Sequence, residues 1–247
     1  MFKRLKSLWK GVERPDPPEG LIYAIGDIHG RLDLLDTLLD LIAKDADGAP
    51  CELVFLGDYI DRGDQSRGVI DRLIEVQSWS LSSCFLMGNH EATLLDFLKG
   101  GPVGPSWMQY GGGETLLSYD VRPPLGRGTD EEWEDTRQAL ASAISPEQLA
   151  FYQSLQLSAE RGCYLFVHAG VDPNTPLAQQ TERSLLWIRD EFLSATRPLE
   201  RVIVHGHTPE DQPHADDRRI GLDTGAYLTG RLTAVRLEHG QTRFIST

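Results

Sequence analysis

Only three cysteines occur in 247 residues, Cys51, Cys84 and Cys163, and no two of them share a Cys-x-x-Cys spacing. This excludes a thiolate-rich zinc site and a disulfide framework, so all three read as buried free thiols in or beside apolar strands. No apolar run approaches the roughly 18 residues that a membrane-spanning helix requires, and no apolar signal-like stretch opens the chain. Neither export nor membrane insertion is expected, and the default location is cytoplasmic. Positive charge is scarce too: 24 Lys and Arg stand against 37 Asp and Glu, a formal net charge of −13. A general nucleic-acid binder needs clustered basic residues to hold a phosphate backbone, so that class is set aside. A phosphate-bearing substrate is not, because two divalent cations and a few arginines dominate the field of a small cleft.

The basic residues that do occur are unevenly spread. Lys3, Arg4, Lys6, Lys10 and Arg14 face Glu13 alone within residues 1–14, with Phe2, Leu5, Leu8 and Trp9 interleaved. Residues 1–20 therefore read as a flexible basic, Pro-rich tail, and a short amphipathic helix in weak contact with an anionic membrane surface is its candidate role. Residues 21–247 contain no linker and read as one domain.

Within that domain, short apolar runs each end in a polar, Gly-bearing segment. Leu21 to Ile25 leads to Asp27 and His29, Leu53 to Leu56 to Asp58, and Cys84 to Met87 to Asn89 and His90. Tyr164 to Val167 leads to His168, and Val202 to Val204 to His205 and His207. Such runs are what buried strands look like, and open α/β sheets place ligand sites beyond the carboxyl ends of their strands. Leu32, Leu35, Leu38, Leu39 and Ile42 recur at helical spacing after the first run, and similar patterns follow the second and third. Three successive strand-loop-helix units predict a mainly parallel core sheet.

The remaining segments carry weaker signals. Gly111-Gly112-Gly113 is either a simple turn before a helix near Glu114 or a close approach of the chain to another group. Residues 129–155 read as helical, with an acidic first turn after residue 129 and a capping box at Ser145-Pro146-Glu147-Gln148. A helix is expected around Glu182 to Leu193. Arg219 to Asp223, Arg231 to Leu237 and Thr242 to Ile245 then predict an antiparallel meander. His214 and His239 sit in polar contexts and read as solvent-exposed, whereas His205 either lines the pocket or is a satisfied buried histidine.

Asp27 and His29 lie two residues apart, so in an extended segment both side chains point the same way and suit one ion. Asp58 and Asn89 add oxygen donors, His168 and His207 nitrogen donors. A carboxylate, amide and imidazole set with no thiolate suits Mn²⁺ first, with Fe or Zn²⁺ as alternatives.

Taken together, Gly26-Asp27-Ile28-His29-Gly30, Gly57-Asp58-Tyr59-Ile60-Asp61-Arg62-Gly63, Gly88-Asn89-His90-Glu91, His168-Ala169-Gly170 and Gly206-His207-Thr208 resemble the phosphoprotein phosphatase family of calcineurin-like metallophosphoesterases. The bacterial and phage lambda type is the nearest in pattern. The resemblance covers about residues 21 to 237 and implies an α/β protein of four layers, αββα, with a central mixed β-sandwich flanked by helices. It also implies two divalent metal ions, one on Asp27, His29 and Asp58 and one on Asp58, Asn89, His168 and His207, with Asp58 as the bridge. Pro209 stands where other metallophosphoesterases carry a further histidine, so the first metal should have one protein ligand fewer. By the same resemblance His90 is the general acid, Asp61 orients it, and Arg62 and Arg189 hold phosphate oxygens.

The chemistry such a site implies is hydrolysis of a phosphomonoester. Two ions about 3.5 to 4 Å apart lower the pKa of a shared water and neutralise phosphoryl oxygens during in-line displacement. The leading expectation is a phosphatase acting on phosphoserine and phosphothreonine in proteins, with phosphotyrosine or a small phosphoester as further substrates. Its rival is a diadenosine tetraphosphate hydrolase of the symmetrical type. Asp61 and Glu91 depart from that branch's usual motif and favour the protein phosphatase. A non-catalytic metal-binding module is the third alternative, disfavoured because no ligand and no acid is missing.

Overall fold

The computed structural model describes residues 3–4, 14–78 and 82–247. The first part of the chain runs β1 (Lys3–Arg4), β2 (Leu21–Ile25), α1 (Leu32–Ala46), β3 (Cys51–Phe55), α2 (Ser66–Ser78), β4 (Ser82–Phe85) and α3 (Asn89–Leu98). A helical stretch follows: α4 (Gly104–Gln109), α5 (Gly112–Ser118), α6 (Asp130–Ala143) and α7 (Pro146–Ser154). The last part holds β5 (Ser158–Arg161), β6 (Tyr164–Val167), α8 (Glu182–Trp187), α9 (Asp190–Leu193), β7 (Val202–His205), β8 (His214–Ala215), β9 (Arg219–Gly221), α10 (Ala226–Thr229), β10 (Thr233–Glu238) and β11 (Gln241–Ser246).

These strands form two sheets. One has the order β1-β11-β10-β2-β3-β4, and the other β5-β6-β7-β9-β8. The predicted parallel core is present, since β2, β3 and β4 pair in parallel, as do β6, β7 and β9. Alternation along each strand explains the layering. On β2, Ile22 and Ala24 meet Tyr164, Phe166, Val202 and Val204 of the other sheet, whereas Tyr23 and Ile25 face the cluster built by α1, α2 and α3. On the far side, Leu165, Val167 and Ile203 pack on Leu185 and Phe192. Helices, two mixed sheets and helices stack in that order, giving the four-layer αββα architecture.

Several expectations need correcting. The C-terminal meander is broken, because β9 joins the second sheet beside β7 while β10 and β11 form an antiparallel hairpin in the first. Both positions are buried, so local apolar pattern does not choose between sheets. The helix expected over Glu182 to Leu193 is two helices, since Ile188 and Arg189 leave helical geometry and Arg189 has φ −132 and ψ −100. His214 is half-buried and pairs with Asp216 at 2.9 Å, and Cys51 is half-buried where Cys84 and Cys163 are buried. The capping box at Ser145 forms, and a second one, Thr129 with Glu132, uses part of the acidic run to close the first turn of α6.

The described part of the N-terminal segment lies against the domain. Lys3 and Arg4 pair with β11, and Arg14 donates to Leu199 O at 2.7 Å and to Asp217 O at 2.6 Å. The amphipathic helix expected within residues 1–14 falls mainly outside the described residues, and Lys3–Arg4 runs as a strand. No helix among the described residues is long and apolar enough to cross a membrane.

Candidate metal centre and active site

The parallel strands of both sheets end at one edge, and their loops carry the polar motifs to a common place. Five motif side chains sit on backbone with positive φ: His29 (48°), Asp58 (53°), Asp61 (71°), Arg62 (70°) and His207 (67°). Residues with a Cβ disfavour this region, at about 1–3 kcal/mol each, so the surrounding hydrogen bonds must hold the loops in it. Glu91 is one such holder: fully buried, it accepts from the backbone N–H groups of Asp58, Tyr59, Ile60 and Gly88 at 2.9, 2.8, 3.3 and 2.9 Å. Gly206 is another requirement, because a Cβ there would lie 1.9 Å from Asp27 Oδ1.

Two clusters of potential metal ligands share Asp58. His29, Asp58 and His90 converge in one, and Asp58, His168 and His207 in the other, each with ligand atoms within 4.8 Å of one another. Asp58 Oδ2 lies 3.6 Å from His29 Nε2, and its Oδ1 lies 3.4 Å from His168 Nε2. Asn89 Oδ1 approaches His168 Nε2 at 2.9 Å, and His207 Nδ1 approaches it at 3.2 Å. Asp27 accepts from His207 N at 3.0 and 3.1 Å, which brings its carboxylate beside the second cluster.

The donor set fits a cation. His29 Nδ1 donates to Ile60 O and His168 Nδ1 to Leu56 O, both at 2.9 Å, which turns the Nε2 of each ring toward the centre, where it offers a lone pair once the ring is neutral. Around His168 Nε2 the neighbours are then a carboxylate oxygen, an amide oxygen and a ring nitrogen. Such a convergence of acceptors is unfavourable unless a proton or metal stands between them. Among the described residues the ion-pair partners of buried Asp58 are all histidines.

Protonation follows the same logic. Burial lowers His29 to about 3 against the pull of Asp58, and lowers His207 to about 2 with the charge of His168 adding. Burial opposes a charged His168 as well, but Asp58 prevails and raises it to about 9. Asp58 in turn is held well below the carboxylate range by His168 and His90, against its burial. Burial and Asp223 push Asp27 well above that range, and burial raises Asp223 to about 6.

His90 Nδ1 donates to Asp61 Oδ2 at 2.5 Å, and its Nε2 lies 3.8 Å from Asp58 Oδ2. Burial alone would lower this imidazole, but Asp58 and Asp61 raise it. Arg62 donates from Nη1 to His29 Nε2 at 2.7 Å, and its guanidinium lies 4.8 Å from the centre of the Tyr227 ring. Arg189 donates to His207 O at 3.0 Å and Thr208 Oγ1 at 3.2 Å. His205 is a satisfied buried histidine outside the centre, its Nδ1 bonded to Gly206 O and its Nε2 accepting from Arg219.

A cleft of about 580 Å³ opens over this edge, lined by Asn89, His90, Arg62 and Arg189 together with Tyr110 and Trp187. The two aromatics are 61% and 49% exposed, so both are accessible to an occupant of the cleft. Tyr110, Trp187, Trp107, Thr115 and Tyr227 join the site or its surroundings without a functional signal in the sequence. Aromatic residues in an insertion look the same whether they fill a core or line a cleft.

Two mixed sheets with these ligands at their common edge define a metal-dependent phosphoesterase. The chain belongs to the calcineurin-like phosphoesterase family, whose model matches residues 20–237. An asymmetrical bis(5′-nucleosyl)-tetraphosphatase, PrpE, of Anoxybacillus flavithermus is 29% identical over 245 residues, covering 90% of this chain and 93% of its own. The Bacillus subtilis protein of the same name is 27% identical, covering 88% and 91%. Among solved structures, one assigned as a candidate diadenosine tetraphosphatase superposes with a TM-score of 0.64 at 21% identity, covering 97% of this chain and 98% of its own. A cold-active protein tyrosine phosphatase gives 0.59 at 18% identity, covering 94% and 81%. A Saccharomyces cerevisiae protein serine/threonine phosphatase gives 0.55 at 17% identity, covering 93% and 80%.

Proposed function

We propose that this phosphoesterase uses a dinuclear metal site to hydrolyse phosphate esters and anhydrides that carry an aromatic group, with the anhydride linkages of bis(5′-nucleosyl) polyphosphates as the first substrate class. The observation that carries this is the cleft itself, where exposed Tyr110 and Trp187 share a lining with His90, Arg62 and Arg189. A base stacked on an aromatic side chain gains about 1–3 kcal/mol. The relatives named as nucleosyl tetraphosphatases match over nearly their whole length, which supports the same class.

Asp27, His29 and Asp58 would hold one divalent cation and Asp58, Asn89, His168 and His207 the other, Mn²⁺ being the first candidate. When bound, the ions supply Lewis acidity and activate water. The chain's own residues do the rest. Arg62 and Arg189 bind the non-bridging oxygens through charge-assisted bonds. Asp61 keeps a proton on Nδ1 of His90, so that the Nε2 proton goes to the departing oxygen.

A second reading, hydrolysis of phosphoserine and phosphothreonine in proteins, draws support from Asp61 and Glu91 within their motifs. One experiment separates the two: the Mn²⁺-loaded protein is given diadenosine tetraphosphate, phosphopeptides, mononucleotides and a cyclic nucleotide side by side. A kcat/KM for the dinucleotide at least tenfold above the rest is expected. The same margin for phosphopeptides would replace the nucleotide reading with the protein phosphatase one.

A further inference from the structure

Asp61 is fully buried, and three separate elements take up its carboxylate. Its Oδ2 accepts from His90 Nδ1 at 2.5 Å and from Trp107 Nε1 at 2.8 Å, while its Oδ1 accepts from Thr115 Oγ1 at 2.5 Å. The backbone is tied as well, with Asp61 N donating to Thr115 Oγ1 at 2.9 Å and Ser66 Oγ at 3.0 Å. Trp107 comes from α4 and Thr115 from α5, the insertion whose sequence carries no catalytic motif.

The corner between those helices is built to clasp this loop. Gly111 has φ 98°, its carbonyl accepts from Arg62 N at 3.1 Å, and a Cβ on it would lie 2.5 Å from that nitrogen. A Cβ on Gly112 would lie 2.5 Å from the Trp107 indole. The triple glycine is therefore both a turn and a close approach. Val103, Ser106 and Tyr110, from α4 and its flanks, line the substrate cleft along with the Trp107 ring.

We propose that Trp107 and Thr115 are positioning residues for the general acid: by fixing the plane of the Asp61 carboxylate they aim His90 Nε2 at the leaving oxygen. This rests on the reading of His90 as that acid. An aspartate's terminal torsion is soft, so a carboxylate bound only to His90 would rotate and carry the ring with it. With three bonds in fixed directions it cannot, and misplacement of an acid by about 1 Å costs on the order of 100-fold in rate. In the step concerned, a water oxygen bonds to phosphorus and the bond from phosphorus to the leaving oxygen breaks. The electron pair stays on that oxygen, which takes the Nε2 proton, and a proton from the water restores His90.

Leaving-group dependence tests this, because only a poor leaving group needs the proton. In the Mn²⁺-loaded protein, Trp107→Phe and Thr115→Val should each lower kcat about tenfold or more on glycerol phosphate and less than about threefold on p-nitrophenyl phosphate. Thr115→Ser should recover the wild-type ratio. Metal content and urea midpoint should stay near wild type for Trp107→Phe. As a readout independent of turnover, the Trp107 indole N–H resonance in a ¹⁵N-labelled protein should shift in Asp61→Asn. Equal losses on both substrates, no loss, or an unmoved indole resonance would overturn the proposal. His90→Asn is the control. If it shows no leaving-group dependence, the acid assignment itself falls. If it does and Trp107→Phe and Thr115→Val do not, only the positioning role falls.

Discussion

Replacing Glu91 by Gln turns one carboxylate oxygen into an amide nitrogen and should unhinge the loop that carries Asp58. The carboxylate accepts two backbone N–H groups on each oxygen, Asp58 and Gly88 on Oε2 and Tyr59 and Ile60 on Oε1. An amide cannot match this, since whichever way it flips, its NH₂ faces two donors. Two buried N–H groups are then unpaired at about 1–3 kcal/mol each, so a loss of about 2–6 kcal/mol is expected. Burial and the Asp58 charge raise Glu91 to about 7, so the comparison belongs at pH 8, where the wild-type carboxylate is ionised. In urea, with a slope of about 2–3 kcal/mol per molar, the midpoint should fall by about 1 M or more at unchanged slope. Mn²⁺ affinity should fall with it, because Asp58 holds its positive φ through this contact. A Glu91→Gln protein with wild-type midpoint and metal affinity would refute the reasoning.

Other perturbations have defined outcomes. Arg189→Ala should lower kcat/KM about 10- to 100-fold, the worth of one charge-assisted bond of about 1.5–3 kcal/mol, with metal content by mass spectrometry unchanged. Tyr110→Ala and Trp187→Ala should each raise KM for a dinucleotide about tenfold while leaving p-nitrophenyl phosphate within about threefold, from a stacking loss of about 1–3 kcal/mol. Asp45 supplies a pH signature of stability. Partial burial would raise its carboxyl, but Arg243, Tyr23 and Arg236 hold it well below the usual range, so its contribution is present above the unfolded value near 4 and is lost as pH falls toward the lower folded value. Denaturation of Asp45→Asn from pH 7 down to pH 2 should show a shallower acid loss than wild type.

What could be read in the sequence was what repeats locally. Asp27, Asp58 and Asn89 follow apolar runs bounded by glycine, so strand, loop and candidate ligand were visible together. Of the partners of Asp61, His90 was legible but Trp107 and Thr115 were not, because they lie 46 and 54 residues away with no pattern linking them. The same limit hid the placement of β9. Its three residues are buried in either sheet, and the choice depends on β7 alongside it. His205 could not be told from a pocket residue until Arg219 supplied its partner at 3.1 Å. Strain is also silent in the sequence: nothing in Gly-Asp-Tyr-Ile-Asp-Arg-Gly reveals that Asp58, Asp61 and Arg62 all take positive φ.

Metal stoichiometry against turnover tests the dinuclear hydrolase most directly. Protein saturated with Mn²⁺ and freed of excess should carry two ions per chain, and Asp58→Asn, which removes the shared ligand, should carry at most one and lose nearly all hydrolysis of diadenosine tetraphosphate. Full turnover by wild-type protein holding one ion or none, or an Asp58→Asn protein that keeps two ions and wild-type turnover, would contradict it.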